Sequence, residues 1–239
     1  VCLKIRSCPV PQAVDESVQA LKFLRSLGCD KFYYKYCSTF DSTHEGNIGP
    51  VVDALMDELE VPQTIICPSL PVNGRTVCHG YLFVNHDMLS DSSMRYHPIT
   101  PMEDSKLCRL MEGQFRGTTG HVYYPSISAG SDQVRRELRD LQEAGHRYVV
   151  VDSLANTDLQ IIAEATEEMA LVTGGSGLAI GITSVLNRSK GGPTKDGSAF
   201  VPRRQKGIVI AGSCSKRTNE QVAAYKNLAP SRYLEEASC

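Results

Sequence analysis

Apolar positions recur along the chain with two periods, and the two periods alternate. "VCLKI" (Val1–Ile5) and "KFYYKY" (Lys31–Tyr36) are short runs of strand type, the second by its aromatic content. Between them Val14, Val18, Leu21 and Leu24 fall on one helical face, and the helix they predict ends near Gly28. Ile48, Val51, Val52, Leu55 and Leu59 make a second helical stripe, and "QTIIC" predicts a buried strand after it. "RTVCHGYLFV" carries two strand-like runs around Gly80, the pattern of a hairpin. A stretch rich in turn formers follows, from Asn85 to Pro101. Beyond it the pattern predicts a helix over Asp104–Met111, a strand in "GHVYY" and a helix marked by Val134, Leu138 and Leu141. "YVVVDS" then predicts a parallel strand, and Leu159, Ile162, Ala165 and Met169 a further helix. "LVTGGSG" runs from a strand into a glycine turn, with a helix from Leu178 to Leu186. "SKGGPTKDGS" has the composition of a linker. "GIVIAGSCS" opens a fresh strand–loop–helix unit, with Val222, Tyr225 and Leu228 on its helix.

Strands that alternate with helices predict a layered α/β fold, a mainly parallel sheet with helices on both faces. The unit after the linker predicts the start of a second α/β domain. In such sheets ligands collect at the carboxyl ends of strands. Three loops qualify by position: the one after "KFYYKY", "GGSG" after "LVT", and "GSCS" after "IVIA".

Composition narrows the function classes. The chain has 239 residues, 41% hydrophobic and 22% charged, ordinary globular usage with enough length for a sizeable core. Its formal net charge is -2 and it has no long basic run, which argues against nucleic acid or an anionic membrane as the main partner. No stretch approaches the roughly 18 apolar residues of a membrane span. Nine cysteines without a C-x-x-C pair predict free thiols in a reducing compartment, and so a cytoplasmic location, rather than a disulfide framework or a zinc site.

The loop "KYCSTFDSTHEGNIGP" (Lys35–Pro50) carries the densest chemistry. It places Ser38, Ser42 and Thr43 as hydroxyls that donate and accept, Asp41 as a carboxylate able to orient a hydroxyl or act as a base, and Lys35 as a cation. Gly46 and Asn47 stand at the start of a helix, where free N–H groups and the dipole favour an anion. This set suits a small polyhydroxylated acid. It equally suits an ordinary capped loop, with Thr43 or Asn47 capping and Asp41 forming an Asx turn. "PVNGRT" presents Asn73 and Arg75, the latter a fork donor for a carboxylate, or simply a turn with an exposed Arg. "RYHPITPM" fixes His97 between prolines. Gly174, Gly175 and Ser176 open a helix in the manner of a phosphate cradle, and also of a plain strand-to-helix joint. No Walker A loop, no full G-x-G-x-x-G and no metal-ligand spacing occurs.

Several of these runs, "KYCSTFDSTHEGNIGPVVDAL", "CPSLPVNGRTVCHGYLFV", "MLSDSSMRYHPITPMEDSKL", "LVTGGSGL" and "IAGSCSKRTNEQV", together resemble the four-carbon acid sugar kinases, in order along nearly the whole chain. The likeness is to the 3-oxo-tetronate kinase branch. It implies ATP-dependent phosphorylation of the terminal hydroxyl of a four-carbon sugar acid, with Mg²⁺ implied by the ATP chemistry. It also implies an organisation: residues 1–190 a sugar-acid-binding domain without its first strand, 191–206 a linker, and 207–239 the opening of an ATP-binding domain in which Ser213 and Ser215 contact ATP. In that frame Lys35 and Arg75 neutralise the carboxylate or the transferring phosphoryl group. Ser42, Thr43 and Asn47 hold hydroxyls, and Asp41 orients the attacking one. The family's opening Asp-Asp-x-Thr-Gly element and most of its nucleotide domain are not in this sequence. The expectation is therefore a middle piece of such an enzyme, its alternatives being a sugar-acid binder without turnover and a truncated product.

Overall fold

The computed structural model of the chain describes residues 1–190, 208–212 and 216–233. Its larger unit, Val1–Thr194, is built on a five-stranded sheet. The strands are β1 (Phe32–Lys35), β2 (Thr64–Cys67), β6 (Thr118–Val122), β7 (His146–Val151) and β8 (Leu171–Gly174), in the spatial order β1-β8-β2-β7-β6. Every pairing in it is parallel. The α/β layering predicted from the alternating periods is what forms.

Two apolar cores lie on the two faces, and the strands supply both by strict alternation. On one face Ile66, Tyr148, Val150 and Leu171 meet the helices α1 (Val10–Ser26), α2 (Ile48–Leu59) and α3 (Leu107–Glu112). On the other Ile65, Val149, Val151 and Val172 meet α4 (Tyr124–Ser128), α5 (Ser131–Glu143), α6 (Asn156–Ala165) and α7 (Ser176–Lys190). This double burial explains why "TIIC" and "YVVV" are continuous apolar runs rather than alternating ones.

The predicted hairpin also forms, within a small antiparallel sheet of β3 (Arg75–Cys78), β4 (Tyr81–Val84) and β5 (Asp87–Met88). Its two-residue turn, His79 at φ 50° and Gly80 at φ 72°, has the left-handed backbone that matches strand twist. The small sheet is tied to the large one where Val77 and Ser153 exchange two backbone hydrogen bonds of 2.9 Å.

Three expectations are corrected. Val1–Ile5 is not a strand. It has no ladder partner among the described residues, and the carbonyl of Ile5 accepts instead from the side-chain amide of Asn47 at 2.6 Å. The helix expected from Asp104 starts only at Leu107, because Asp104 turns back to accept from the Lys106 N–H at 2.9 Å and to pair with Arg109. "GIVIAGSCS" is not a strand over its described part, 208–212, where Ile208 and Ile210 are more than four-fifths exposed. A strand needs a neighbour to satisfy its ladder. The smaller unit, Lys195–Cys239, contributes one described helix, α8 (Lys216–Lys226). Among the described residues no helix is long and apolar enough to cross a membrane. Cys2, Cys8, Cys29, Cys37, Cys67, Cys78 and Cys108 are free thiols, as expected.

Candidate functional site

Because all five strands run the same way, the loops after β1, β2, β6, β7 and β8 gather at one edge of the sheet. The loop after β1 is the most constrained of them. Tyr36 is buried beneath it, and its hydroxyl bridges Thr173 Oγ1 and the N–H of Cys67, both at 3.2 Å. Phe40 packs edge-on against Tyr36 and is almost wholly buried. Phe40 and the following Asp41 both take left-handed backbone, at φ 65° and 42°, an uncommon choice for two consecutive non-glycine residues. The result aims the Asp41 carboxylate inward. One of its oxygens accepts from Thr39 Oγ1 at 2.6 Å, the other from the guanidinium of Arg6.

The rest of the loop is clamped by Gln114, which sequence reasoning missed. Its Oε1 accepts from the N–H of Gly49, in the first turn of α2, at 2.9 Å. Its Nε2 donates to Ser42 Oγ at 3.0 Å and to the carbonyl of Thr43. Gly46 is required here, since a Cβ would lie 1.8 Å from Ser42 Oγ. Asn47 does not cap α2 with its side chain; it holds the carbonyls of Ile5 and Cys8. Ser42 and Asn47 are thus buried fasteners of the loop. Gln114→Ala leaves the Gly49 N–H without its partner, and we expect about 1–2 kcal/mol of destabilisation. Thermal unfolding of the variant against wild type measures it, with Gln114→Glu as the control that keeps the acceptor.

Lys35, Asp41 and Asn47 line one cavity, about 420 Å³ in volume, together with Arg6. Lys35 is exposed and makes no ion pair among the described residues. Ser38 is half-buried in the same loop. Thr43 lies instead on a second cleft of about 360 Å³, shared with His44, Tyr81 and Arg109. Asn73, on the loop after β2, and Arg75, the first residue of β3, line neither cavity. Arg75 donates to the carbonyl of Asn73, and its Nε is buried with no partner among the described residues. His97 is half-buried in its loop, where Nδ1 faces the N–H of Thr100 at 3.1 Å. Burial, and then the positive charge of Arg6, hold its pKa below the ordinary imidazole range.

At the β8 turn the glycines answer to close packing. A Cβ on Gly175 would meet the carbonyl of Pro68 at 2.5 Å, and one on Gly177 that of Ser69 at 2.2 Å. The Gly175 N–H is already given to the carbonyl of Cys67. Gly174 is equally enclosed, and Ser176, exposed, is the member of the turn open to a ligand. Ser213 and Ser215 lie outside the described residues. Among the described residues no three His, Cys, Asp or Glu side chains converge as a metal site needs, so none of them is assigned to Mg²⁺.

A second polar hub was also missed. Asp152, directly after β7, is wholly buried. It accepts from the N–H groups of His79, Gly80 and Tyr124 at 2.8, 2.9 and 3.1 Å, and lies 2.8 Å from His121 Nε2. Burial pushes its carboxyl pKa up, but the bonds from His121, Gly80 and His79 outweigh that and hold it below the usual aspartate value. The one sequence signal was an acidic residue ending the apolar run "YVVVD".

The chain matches the sugar-binding N-terminal domain family over residues 1–182. It is 50% identical to the 3-oxo-tetronate kinase of Escherichia coli (strain K12) across all of its own length and 61% of that protein's. It is 49% identical to the 3-oxo-tetronate kinase of Haemophilus influenzae over 96% of itself and 55% of that relative. The chain therefore spans about half to three fifths of the curated relatives it matches. Among solved structures, it resembles a Haemophilus influenzae protein at a TM-score of 0.79 and 48% identity, covering 94% of this chain and 54% of that one. A Bordetella bronchiseptica protein, solved as a domain-swapped dimer with bound citrate, is similar at a TM-score of 0.65 and 25% identity, covering 80% of this chain and 46% of that one.

Proposed function

As the chain belongs to the four-carbon acid sugar kinase family, matching its sugar-binding N-terminal domain, we propose that it holds a four-carbon sugar acid of the 3-oxo-tetronate type for ATP-dependent phosphorylation by the complete protein. The observation that carries this reading is the loop after β1. It sits at the carboxyl edge of a parallel sheet and is locked from beneath by Tyr36, Phe40 and Gln114, and Lys35, the last residue of β1, stands beside it on a cavity with no ion pair among the described residues. A rigid loop with such a cation beside it is pre-organised to receive a small anion, because little ordering remains to be done on binding.

In the proposed reaction the terminal hydroxyl oxygen of the acid bonds to the γ-phosphorus of ATP, the bond to the leaving diphosphate breaks, and the hydroxyl proton leaves to a base. Positioning and charge neutralisation do most of the work in such transfers. Lys35 supplies charge on this cavity, whereas Ser38, Thr43, Arg75 and His97 lie outside its lining. Ser42, Gly46 and Asn47 act by keeping the loop in place. Asp41, buried with both oxygens engaged, acts by holding Arg6 and Thr39 in place. ATP belongs to the complete protein, with Ser213 and Ser215 as its proposed contacts.

Calorimetric titration of the 239-residue chain with a 3-oxo-tetronate tests the reading. Saturable binding is expected, weakened about ten-fold or more by Lys35→Ala through loss of one charge-assisted contact. Absence of binding at millimolar acid, with the chain folded by circular dichroism, sinks it.

A further inference from the structure

We propose that the second cleft, walled by Thr43, Tyr81, Met88 and Arg109, is a binding site for an uncharged polyhydroxylated compound, a sugar alcohol or a free sugar. It stands whatever the cavity beside Lys35 holds, since the two share no lining residue. Distant parts of the chain build the cleft. The loop after β1 brings Thr43, β4 and β5 bring Tyr81 and Met88, the turn after β5 brings Ser90, and α3 brings Arg109. At about 360 Å³ it has the size of a small-molecule pocket.

The observation that carries the proposal is a set of uncommitted donors on this one cleft. Buried Ser105 gives its hydroxyl proton to Ser90 Oγ at 2.9 Å, so the proton of Ser90 itself is unassigned. Thr43 Oγ1 accepts from the N–H of Glu45 at 3.4 Å and donates to no acceptor among the described residues. The Tyr81 hydroxyl makes no hydrogen bond among the described residues. Arg109 spends Nε and Nη2 on Asp104, at 2.5 and 2.7 Å, and leaves Nη1 unengaged. A ligand hydroxyl accepts from such a donor and passes its own proton on to an acceptor. Acceptors are at hand, because Glu103 and Asp104 line the same cleft. The Tyr81 ring, Met88, Pro101 and Leu110 supply an apolar wall for the C–H groups.

Charge selects an uncharged ligand. The fork of Arg109 is matched by Asp104, and its hydrogen bonds hold the Asp104 carboxyl below the usual aspartate range, so the two stay ionised and cancel. Glu103 then leaves the cleft with an excess of negative charge, the reverse of the cavity lined by Lys35 and Arg6, and an acid is disfavoured. A cation gains little in its place. Glu103 is exposed, where water and salt screen it, and the Lys106 ammonium already stands 4.5 Å from the Tyr81 ring centroid, where a cation would bind the ring.

Two-dimensional ¹H–¹⁵N spectra of the full 239-residue chain, titrated with sorbitol, xylitol, glucose and gluconate, test the site. At least one of the three uncharged compounds should move the amides of Thr43, Tyr81, Met88 and Arg109 saturably and leave that of Lys35 in place. Gluconate, the skeleton of sorbitol with a carboxylate, should bind there about 5-fold more weakly than sorbitol or less tightly still. Tyr81→Phe, which keeps the ring and removes the hydroxyl, should weaken the uncharged ligand by about 5- to 10-fold, the effect of one lost hydrogen bond. Met88→Trp, at a half-exposed position, should fill the cleft and abolish binding. The proposal is overturned if none of sorbitol, xylitol and glucose moves these amides at tens of millimolar, if gluconate binds there as tightly as sorbitol, or if binding survives Met88→Trp unchanged. Melting curves of both variants keep loss of fold separate from loss of binding.

Discussion

Asp152→Ala should destabilise the larger unit by about 3–5 kcal/mol, a large share of the roughly 5–15 kcal/mol a domain possesses. The substitution removes a buried carboxylate that four donors face: the N–H groups of His79, Gly80 and Tyr124, and His121 Nε2. The Gly80 bond is buried and the other three are part-buried, so these donors keep much of their desolvation cost. Asp152→Asn keeps the shape but turns an amide NH₂ against donors, and should cost nearly as much. Urea titration of both variants gives the values. Acid adds a second signature. The folded pKa of Asp152 is below its ordinary value, so between the two pKa values the unfolded chain binds the extra proton and stability rises with pH. The contribution is complete above about pH 4 and fades as pH falls through the folded pKa. Asp152→Asn should lack this acid-labile component.

The second large effect is expected from Gly181→Val, about 3 kcal/mol of destabilisation. In an exposed helix, replacing glycine gains up to about 1 kcal/mol of helix propensity, less for a β-branched residue. Here a Cβ would lie 2.1 Å from the carbonyl of Leu159 on α6, and backbone cannot swing aside as a long side chain can. Overpacking costs about 1–3 kcal/mol for an added methylene, and valine brings more than one carbon. Packing therefore outweighs propensity. Gly181→Ala should fall between wild type and valine, and a series of the three by thermal unfolding shows whether the cost follows volume. A gain of stability with alanine would falsify the close approach of α7 to α6.

The main sheet was legible because its central strands β2, β7 and β8 are buried on both faces and its helices on one. Ile48, Val51, Val52, Leu55 and Leu59 announce α2, and "YVVV" announces β7, without any knowledge of the partners. Val1–Ile5 was misjudged because a strand-like run says nothing about whether a ladder partner exists, and the Ile5 carbonyl is claimed by Asn47, 42 positions away. The site loop was legible as a position in the fold and as a set of polar residues. What the sequence conceals is their division of labour. Ser42 and Asn47 have the same chemistry as ligand-binding residues, and only their distances to Gln114 and Ile5 mark them as fasteners. Arg6 and Gln114 sit 35 and 72 positions from the loop residues they hold, and no local pattern connects them. The glycines after "LVT" suggested a phosphate cradle because a glycine that admits a ligand and one that admits a carbonyl look alike in one dimension.

The Tyr36 hydroxyl, set between Thr173 and the amide of Cys67, has a kinetic meaning. That amide proton points at a fully enclosed oxygen at the edge of β2, flanked by β8 on one side and by β7 on the other. Local fraying of a loop does not bring solvent to it. Its exchange with deuterium should follow only the opening of the whole sheet, whereas amides of the exposed 208–212 segment should exchange at once. The Cys67 amide thus serves as an internal clock for global unfolding, readable without denaturant.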